Sequence, residues 1–112
     1  MDAIASAPVD DSVKDVFTLG DGIADAWKSV DLARVNGQRV RFRTMWDWTS
    51  NWHAHADSDE AFVVISGTFF LDTDDGTREV KAGQMTVARA GVRHRGRCDG
   101  KTTMLVIDSI GA

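Results

Sequence analysis

The chain has 112 residues, of which 43% are hydrophobic and 27% charged, and its formal net charge at pH 7 is -4. This length and composition predict one soluble globular domain and exclude a disordered or membrane-embedded chain. The acidic balance argues against general nucleic-acid binding, which relies on a basic face. A chain this short buries a modest fraction of its surface, so a closed architecture or a dimer would add stability.

The cysteine content and the amino terminus both bear on location. Cys98 is the single cysteine and cannot form an internal disulfide, so a reducing cytoplasm is the default. The first 15 residues lack a basic segment followed by an apolar core, and no window approaches ~18 uninterrupted apolar residues. We therefore expect a cytoplasmic protein without a secretory signal or a membrane span.

Residues 1–16 are small and acidic and contain the only proline, Pro8, which predicts a flexible N-terminal arm before a domain at 17–112. The alternative is a strand exchanged with a second subunit. Between residues 20 and 33, Asp21 could cap one short N-terminal helix. Its apolar side chains recur at helical spacing: Ile23, Ala26, Trp27 and Val30.

The rest of the chain consists of short extended runs separated by turn signals, beginning with Asn36-Gly37. About seven or eight such runs recur at intervals of ~8–12 residues, which is typical of an all-β sandwich or barrel. They cover residues 39–46, 61–65, 68–72, 78–81, 84–89, 94–98 and 102–108. The fold class predicted from this pattern is all-β.

One of these runs carries a basic face, because Arg39, Arg41 and Arg43 alternate with Val40, Phe42 and Thr44. Alternation with a period of two predicts a half-buried strand. The arginines could hold an anionic ligand. A solvated face, or one paired with Asp and Glu, is the more common arrangement and is the favoured interpretation.

The segment DTDDGT, residues 72–77, resembles the start of a calcium-binding loop. Such a loop needs a glutamate at its end and a helix on each side. Here the flanking residues are extended, and the spacing after Gly76 does not fit. The segment is therefore predicted to be a hairpin turn with acidic side chains.

The stretch WHAHADSDEAFVVISG, residues 52–67, contains the strongest chemical signal in the chain. In an extended segment His53 and His55 share a face, and Glu60 follows five residues later. His94 lies in a separate block, GVRHRGRC. Imidazole and carboxylate ligands suit a borderline divalent metal, and four of them leave one or two octahedral positions open for water or substrate.

We therefore predict one divalent metal ion per chain, bound by His53, His55, Glu60 and His94. This ligand set accepts iron, manganese, nickel, copper or zinc, and the residues do not select among them. The alternative, three histidines in solvent-facing loops, would be preferred for any one of them alone. It is disfavoured here because all three occur together with a suitably spaced carboxylate.

These two blocks resemble the two sequence motifs of the cupins. The first matches as a histidine pair, four residues, Glu60, six residues and Gly67. The second matches as Gly83, five residues, a tripeptide that ends at Gly91, two residues and His94. The tripeptide begins with Arg89 where the family usually has proline. Cys98 stands where the family often has asparagine, and the usual glycine five residues before His53 is missing.

The resemblance covers roughly residues 52–98 and identifies the chain as a small, single-domain, metal-binding cupin. It implies a double-stranded β-helix, or jelly-roll barrel, that is often a homodimer. It also implies the same four metal ligands, because the departures from the motifs fall outside the ligand set.

The resemblance leaves the reaction open, since cupins include dioxygenases, lyases, isomerases and proteins without known activity. The favoured hypothesis is a mononuclear-metal enzyme of dioxygenase or lyase/isomerase type. Its substrate would be a small oxygen-bearing molecule, with anionic molecules included. Glu60 is the candidate catalytic base. The alternative is a non-catalytic module that binds a sugar or an organic acid. The predicted substrate pocket comprises Arg41, Arg43, Phe62, Met85, Arg89, Cys98 and Met104.

Overall fold

The structure, a computed structural model, describes residues 9–111, and in this range it is all-β. Its strands form two antiparallel sheets, of five strands in the order β1-β2-β8-β3-β6 and of three in the order β5-β4-β7. The all-β prediction is confirmed. The strands are β1 (Trp27–Val35), β2 (Gln38–Trp46), β3 (Glu60–Ser66), β4 (Thr68–Thr73), β5 (Gly76–Lys81), β6 (Met85–Ala88), β7 (His94–Cys98) and β8 (Lys101–Ser109).

The main hydrophobic core lies between the two sheets and is built from alternate residues of their facing strands. The rings of Phe62 on β3 and Phe69 on β4 meet across it with centroids 4.9 Å apart. Burial of such side chains is the dominant stabilising contribution in a small β sandwich. The cluster comprises Met45, Phe62, Val64, Phe69, Leu71, Val80, Ala88, Cys98, Met104 and Val106.

A second apolar cluster covers the outer face of the five-stranded sheet. Ile23 and Leu32 pack there with Phe42, whose side chain is completely buried. Since successive side chains of a strand point to opposite faces, the arginines at positions 39, 41 and 43 point into the sandwich. The prediction of a solvated basic face is therefore wrong, although its pairing with acidic residues is observed, as described below.

The predicted helix between residues 20 and 33 is absent. Residues 16–22 form turns, and β1 begins at Trp27. Asn36 and Gly37, with φ of 51° and 79°, form the tight turn that pairs β1 with β2 from Trp27↔Met45 to Val35↔Gln38. These ladder hydrogen bonds and the burial of Leu32 outweigh a weak helical spacing.

Gly67 is the point where the chain passes from one sheet to the other. It lies between β3 and β4 with φ of +78°, a backbone conformation that side chains with a Cβ rarely adopt. A Cβ at this position would collide with the carbonyl oxygen of Lys101 and lie 2.6 Å from Thr102 Oγ1. Glycine is therefore required by both conformation and space.

The predicted hairpin at residues 72–77 is observed, with Thr73 paired to Gly76 between β4 and β5. The predicted arm lies partly outside the described residues, which begin at residue 9. In residues 9–16 the side-chain hydrogen bonds of Asp10 connect it to Ser12 and Lys14. Across residues 9–111 we find no helix that could span a membrane. The arm, homodimer formation and the cytoplasmic location stay predictions.

Candidate metal centre

The structure brings together the four predicted metal ligands at one end of the space between the sheets. One donor atom from each of His53, His55, Glu60 and His94 lies within 4.8 Å of all the others. Glu60 and His94 are buried, with 4% and 2% of their surface exposed. His53 and His55 are more exposed. These donor atoms are close enough to surround a single ion, as a mononuclear site requires.

Backbone pairing explains why residues so far apart in sequence meet here. His53 and His94 donate a backbone hydrogen bond to each other, with N–O distances of 2.9 and 2.8 Å. Ser50 and Gly96 continue the same pairing, because the Ser50 amide donates to the Gly96 carbonyl. Residues 47–53 thus run antiparallel to β7 and hold His53 beside it.

The tautomers of His53 and His94 follow from the hydrogen bond that the Nδ1 of each ring makes. Nδ1 of His53 lies 2.7 Å from the carbonyl of Asn51, and Nδ1 of His94 lies 3.0 Å from that of Val92. A carbonyl can only accept, so each Nδ1 carries the proton and each Nε2 presents a lone pair. This backbone support is typical of histidines that bind metals.

The residues present fit a divalent metal ion. Nε2 of His94 is buried and has no hydrogen-bond partner among the described residues. It lies 3.4 Å from Oε1 of Glu60, and Nε2 of His55 lies 3.7 Å from the same oxygen. A buried polar atom without a partner is costly, and an ion among these donors would satisfy it.

The electrostatics of the cluster keep its carboxylate ionised. Burial raises the pKa of Glu60, but its contacts with His94 and the charges of Arg43 and His55 outweigh this and lower the pKa below its usual value. Glu60 in turn raises the pKa of His94 against the effect of burial. An ionised Glu60 is the form that a metal ligand requires.

A cavity of about 260 Å³ opens beside the four ligands, between the two sheets. Its size is near the lower end of the range for small-molecule sites. Charged side chains of β2 and β8 form one part of its wall, and aromatic and aliphatic side chains form another. The lining residues are Trp27, Arg39, Arg41, Arg43, Met45, Trp48, Ser50, His53, His55, Glu60, Phe62, Phe69, His94, Gly96 and Asp108.

Asp108 on β8 holds two of the three arginines in the wall. Arg39 Nε lies 2.7 Å from its Oδ1, and Arg41 Nη2 lies 2.9 Å from its Oδ2. Nη2 of Arg41 also lies 3.7 Å from Oε2 of Glu60, so Arg41 connects Asp108 to one of the four metal ligands. Asp108 is 1% exposed, and such a buried carboxylate requires these partners.

Arg43 is placed differently from its two neighbours. Its guanidinium carbon lies 5.2 Å from the centroid of the Trp27 ring, at the partly exposed end of the cavity. Its Nε, like that of Arg41, is buried without a hydrogen-bond partner among the described residues. Burial, together with the charge of Arg41, lowers the pKa of Arg43 to about 10.

Three of the predicted pocket residues, Arg41, Arg43 and Phe62, line the cavity. Four others lie elsewhere, and their assignment to the pocket gains no support. Cys98 and Met104 are buried in the core cluster. The side chain of Met85 is exposed at the start of β6, because the alternation of that strand turns it outward. Arg89 is also exposed, and its Nη1 lies 3.2 Å from Oδ2 of Asp59.

Sequence reasoning missed Asp108 and Trp27. Asp108 has the same alternation phase as Met104 and Val106, both buried, so an interior position could have been inferred from the apolar run of β8. Trp27 was assigned to the helix that does not form. Its place in the cavity wall follows from pairing with Met45 across β1 and β2.

Comparison with known proteins agrees with the fold. The sequence profile of the cupin domain matches residues 45–110, which include all four ligands. YdbB of Bacillus subtilis, an uncharacterized protein, is 26% identical over 97 residues, which cover 86% of this chain and 85% of YdbB.

Solved structures show the same architecture. A cupin-2 domain containing protein from Shewanella frigidimarina is 26% identical and superposes with a TM-score of 0.73 over 78% of this chain and 84% of its own. A cupin superfamily protein from Desulfitobacterium hafniense is 15% identical, with a TM-score of 0.74 over 92% and 94% of the two chains. The predicted jelly-roll fold is confirmed. Because the cupin profile matches more than half of its sequence, this chain belongs to the cupin family.

Proposed function

We propose that this cupin is a metal-dependent enzyme that acts on a small oxygen-bearing molecule held in the cavity beside the metal ligands. The observation that carries the proposal is that His53, His55, Glu60 and His94 all line the cavity wall. A purely structural site is closed by its protein ligands, whereas a catalytic site keeps an open position. Here the four residues that would hold the ion border a space large enough for a small substrate.

Some residues of the cavity would bind the metal and the substrate, and others would exclude water. When bound, the metal supplies Lewis-acid polarisation of a substrate oxygen or redox chemistry with dioxygen, according to its identity. Met45, Phe62 and Phe69 form the apolar wall and exclude water from the inner end. Trp27 and Trp48 are partly exposed and form the mouth.

Proton transfer in the cavity would involve its two carboxylates. Asp108 accepts hydrogen bonds from Arg39 and Arg41, which leaves Glu60 as the candidate proton acceptor. Its lowered pKa keeps Glu60 ionised, as a metal ligand must be. The same low pKa makes it a weak proton acceptor. We therefore assign Glu60 first as a residue that would hold the metal, and propose it as a base only for a substrate with an acidic proton.

Elemental analysis of protein purified without a histidine tag tests the metal site. We expect about one divalent ion per chain, as for a mononuclear centre. A His53→Ala/His94→Ala variant should lose it while circular dichroism still reports a folded β protein. Glu60→Gln should also lose metal, whereas Glu79→Gln, at an exposed position on β5, should not. No metal in the wild type, even after reconstitution, would contradict the proposal.

The identity of the ion then selects the reaction assay. Iron or copper directs the search to oxygen uptake, and zinc to lyase or isomerase chemistry without oxygen consumption. A protein that binds metal and ligand but converts no candidate substrate would instead support the alternative, a non-catalytic binding cupin.

A further inference from the structure

Among the described residues, one guanidinium of the cavity wall has no carboxylate in contact with it. Among residues 9–111, the guanidinium of Arg43 donates no hydrogen bond and forms no ion pair, and its Nε is buried. Its contact is with the face of Trp27, at 5.2 Å. Its pKa of about 10 means that it is still charged at neutral pH.

Arg41 provides the internal comparison. It lies on the same face of β2 and lines the same cavity, and its Nε is also buried without a hydrogen-bond partner among the described residues. Its Nη2, however, lies 2.9 Å from Asp108 and 3.7 Å from Glu60. Within this wall Asp108 therefore forms ion pairs with Arg39 and Arg41. Arg43 feels the charges of Glu60 and Asp108 only from a distance. The free guanidinium and the metal ligands face the same space.

A half-buried charge without a paired carboxylate costs free energy, and an uncharged side chain of similar length is expected to be at least as stable at this position. The stacked Trp27 limits the orientations of the guanidinium without supplying a negative charge. Such an arrangement is expected where an anion from outside the chain completes the pairing. Planar guanidinium groups pair best with carboxylates, through two parallel hydrogen bonds.

We propose that Arg43 binds the carboxylate of the substrate, and that the substrate class is small organic acids with an apolar body. The inference rests on the proposed function, because it concerns the same cavity. The carboxylate lies against Arg43 and Trp27, while the apolar body packs on Met45, Phe62 and Phe69 and extends to the metal ligands. Arg43 is thus a specificity-determining residue.

Isothermal titration calorimetry with benzoate, acetate and neutral benzamide tests this assignment on the full chain, both as purified with its metal and after metal removal. Benzoate should bind more tightly than acetate, by about tenfold or more, because its ring buries apolar surface. Benzamide has the same shape without the charge and should bind weakly.

Arg43→Gln should weaken benzoate binding by about 30-fold or more, since two charge-assisted hydrogen bonds are lost. Arg43→Lys keeps the charge without the planar fork and should be intermediate. Lys81→Gln removes one exposed positive charge from β5 and is the matched control, with affinity unchanged. Metal content should be the same in all these variants.

Thermal unfolding separates ligand binding from a structural role. Without ligand, Arg43→Gln should have the same Tm as the wild type or a higher one, because a half-buried charge without a paired carboxylate is removed. With saturating benzoate the wild type should gain several degrees and Arg43→Gln should gain none.

Unchanged benzoate affinity in Arg43→Gln would overturn the inference. So would a large fall in the Tm of this variant without ligand, which would make Arg43 structural. Failure of benzoate and acetate to bind the metal-loaded wild type, up to about 20 mM, would overturn it while leaving the proposed function intact. Binding through Arg43 in a protein that holds no metal would contradict the proposed function alone.

Discussion

His53 and His94 exchange both backbone hydrogen bonds of an antiparallel bridge, and their rings lie with centroids 4.4 Å apart. The group of four metal ligands is therefore held together by main-chain pairing as well as by the side chains that would bind the ion. Its geometry depends on the segment before His53 remaining docked on β7.

Trp52 is expected to maintain that docking. Arg93 and Arg95 lie over its ring, at 4.7 and 5.0 Å from the centroid. Trp52→Ala removes no ligand, but it should weaken metal affinity by about tenfold, as the loss of supporting contacts does in other metal sites. Competition with a chromogenic chelator would measure this.

Trp46→Ala is the control for that experiment, because Trp46 is 44% exposed and does not line the cavity. Its metal affinity should equal that of the wild type. Equal affinity in Trp52→Ala would show that the bridge alone positions His53.

Gly67 should be among the least replaceable residues. Gly67→Ala combines an unfavourable positive φ with a collision against the Lys101 carbonyl, and we expect a loss of about 3 kcal/mol in the free energy of unfolding. Gly83 also has a positive φ, of +82°, but a Cβ there meets nothing within 4 Å. Gly83→Ala should therefore cost about 1 kcal/mol. Urea unfolding gives both values, and similar losses would rule out the collision.

Asp72 should make stability depend on pH in the acid range. Hydrogen bonds, first from Arg97 and also from Thr77 and Arg95, outweigh the effect of burial and hold the pKa of Asp72 well below its usual range. A lowered folded-state pKa gives stability that is complete above the unfolded pKa of about 4 and is lost as pH falls below it.

Asp72→Asn should therefore cost about 2 kcal/mol at pH 7, and the difference from the wild type should shrink below pH 4. Asp75→Asn, in the exposed hairpin turn, is the control and should change neither quantity. Urea unfolding from pH 7 to pH 2.5 measures the effect. If the difference in unfolding free energy between Asp72→Asn and the wild type stays constant with pH, ionisation of Asp72 is not the source of the pH dependence.

Asp108→Asn should lower stability and increase the affinity for anions. Removing the charge leaves Arg39 and Arg41 without their buried carboxylate, which should cost about 3 kcal/mol. It also adds one net positive charge to the cavity, so benzoate should bind more tightly. Calorimetry and urea unfolding on the same samples test both effects, and weaker benzoate binding would show that Asp108 orients a ligand-binding arginine.

Local sequence was sufficient for the features that depend on neighbouring residues. Asn36-Gly37 predicted its hairpin because few residues adopt two successive positive φ angles. His53, His55 and Glu60 were recognised because metal ligands need particular donor types at short spacing. The prediction of a helix was wrong because a few apolar residues at helical spacing contribute little stability compared with a full ladder of strand hydrogen bonds.

The sequence by itself determined the all-β class, the hairpin turns and the set of residues that could hold a metal. Only the tertiary structure decided that the arginine face of β2 points inward, that Asp108 neutralises Arg39 and Arg41, and that Arg43 has no such carboxylate. The reason is physical, since alternation shows which residues share a face of a strand. Which face is buried depends on what packs against it, and here residues 19–23 cover the Phe42 side of β2.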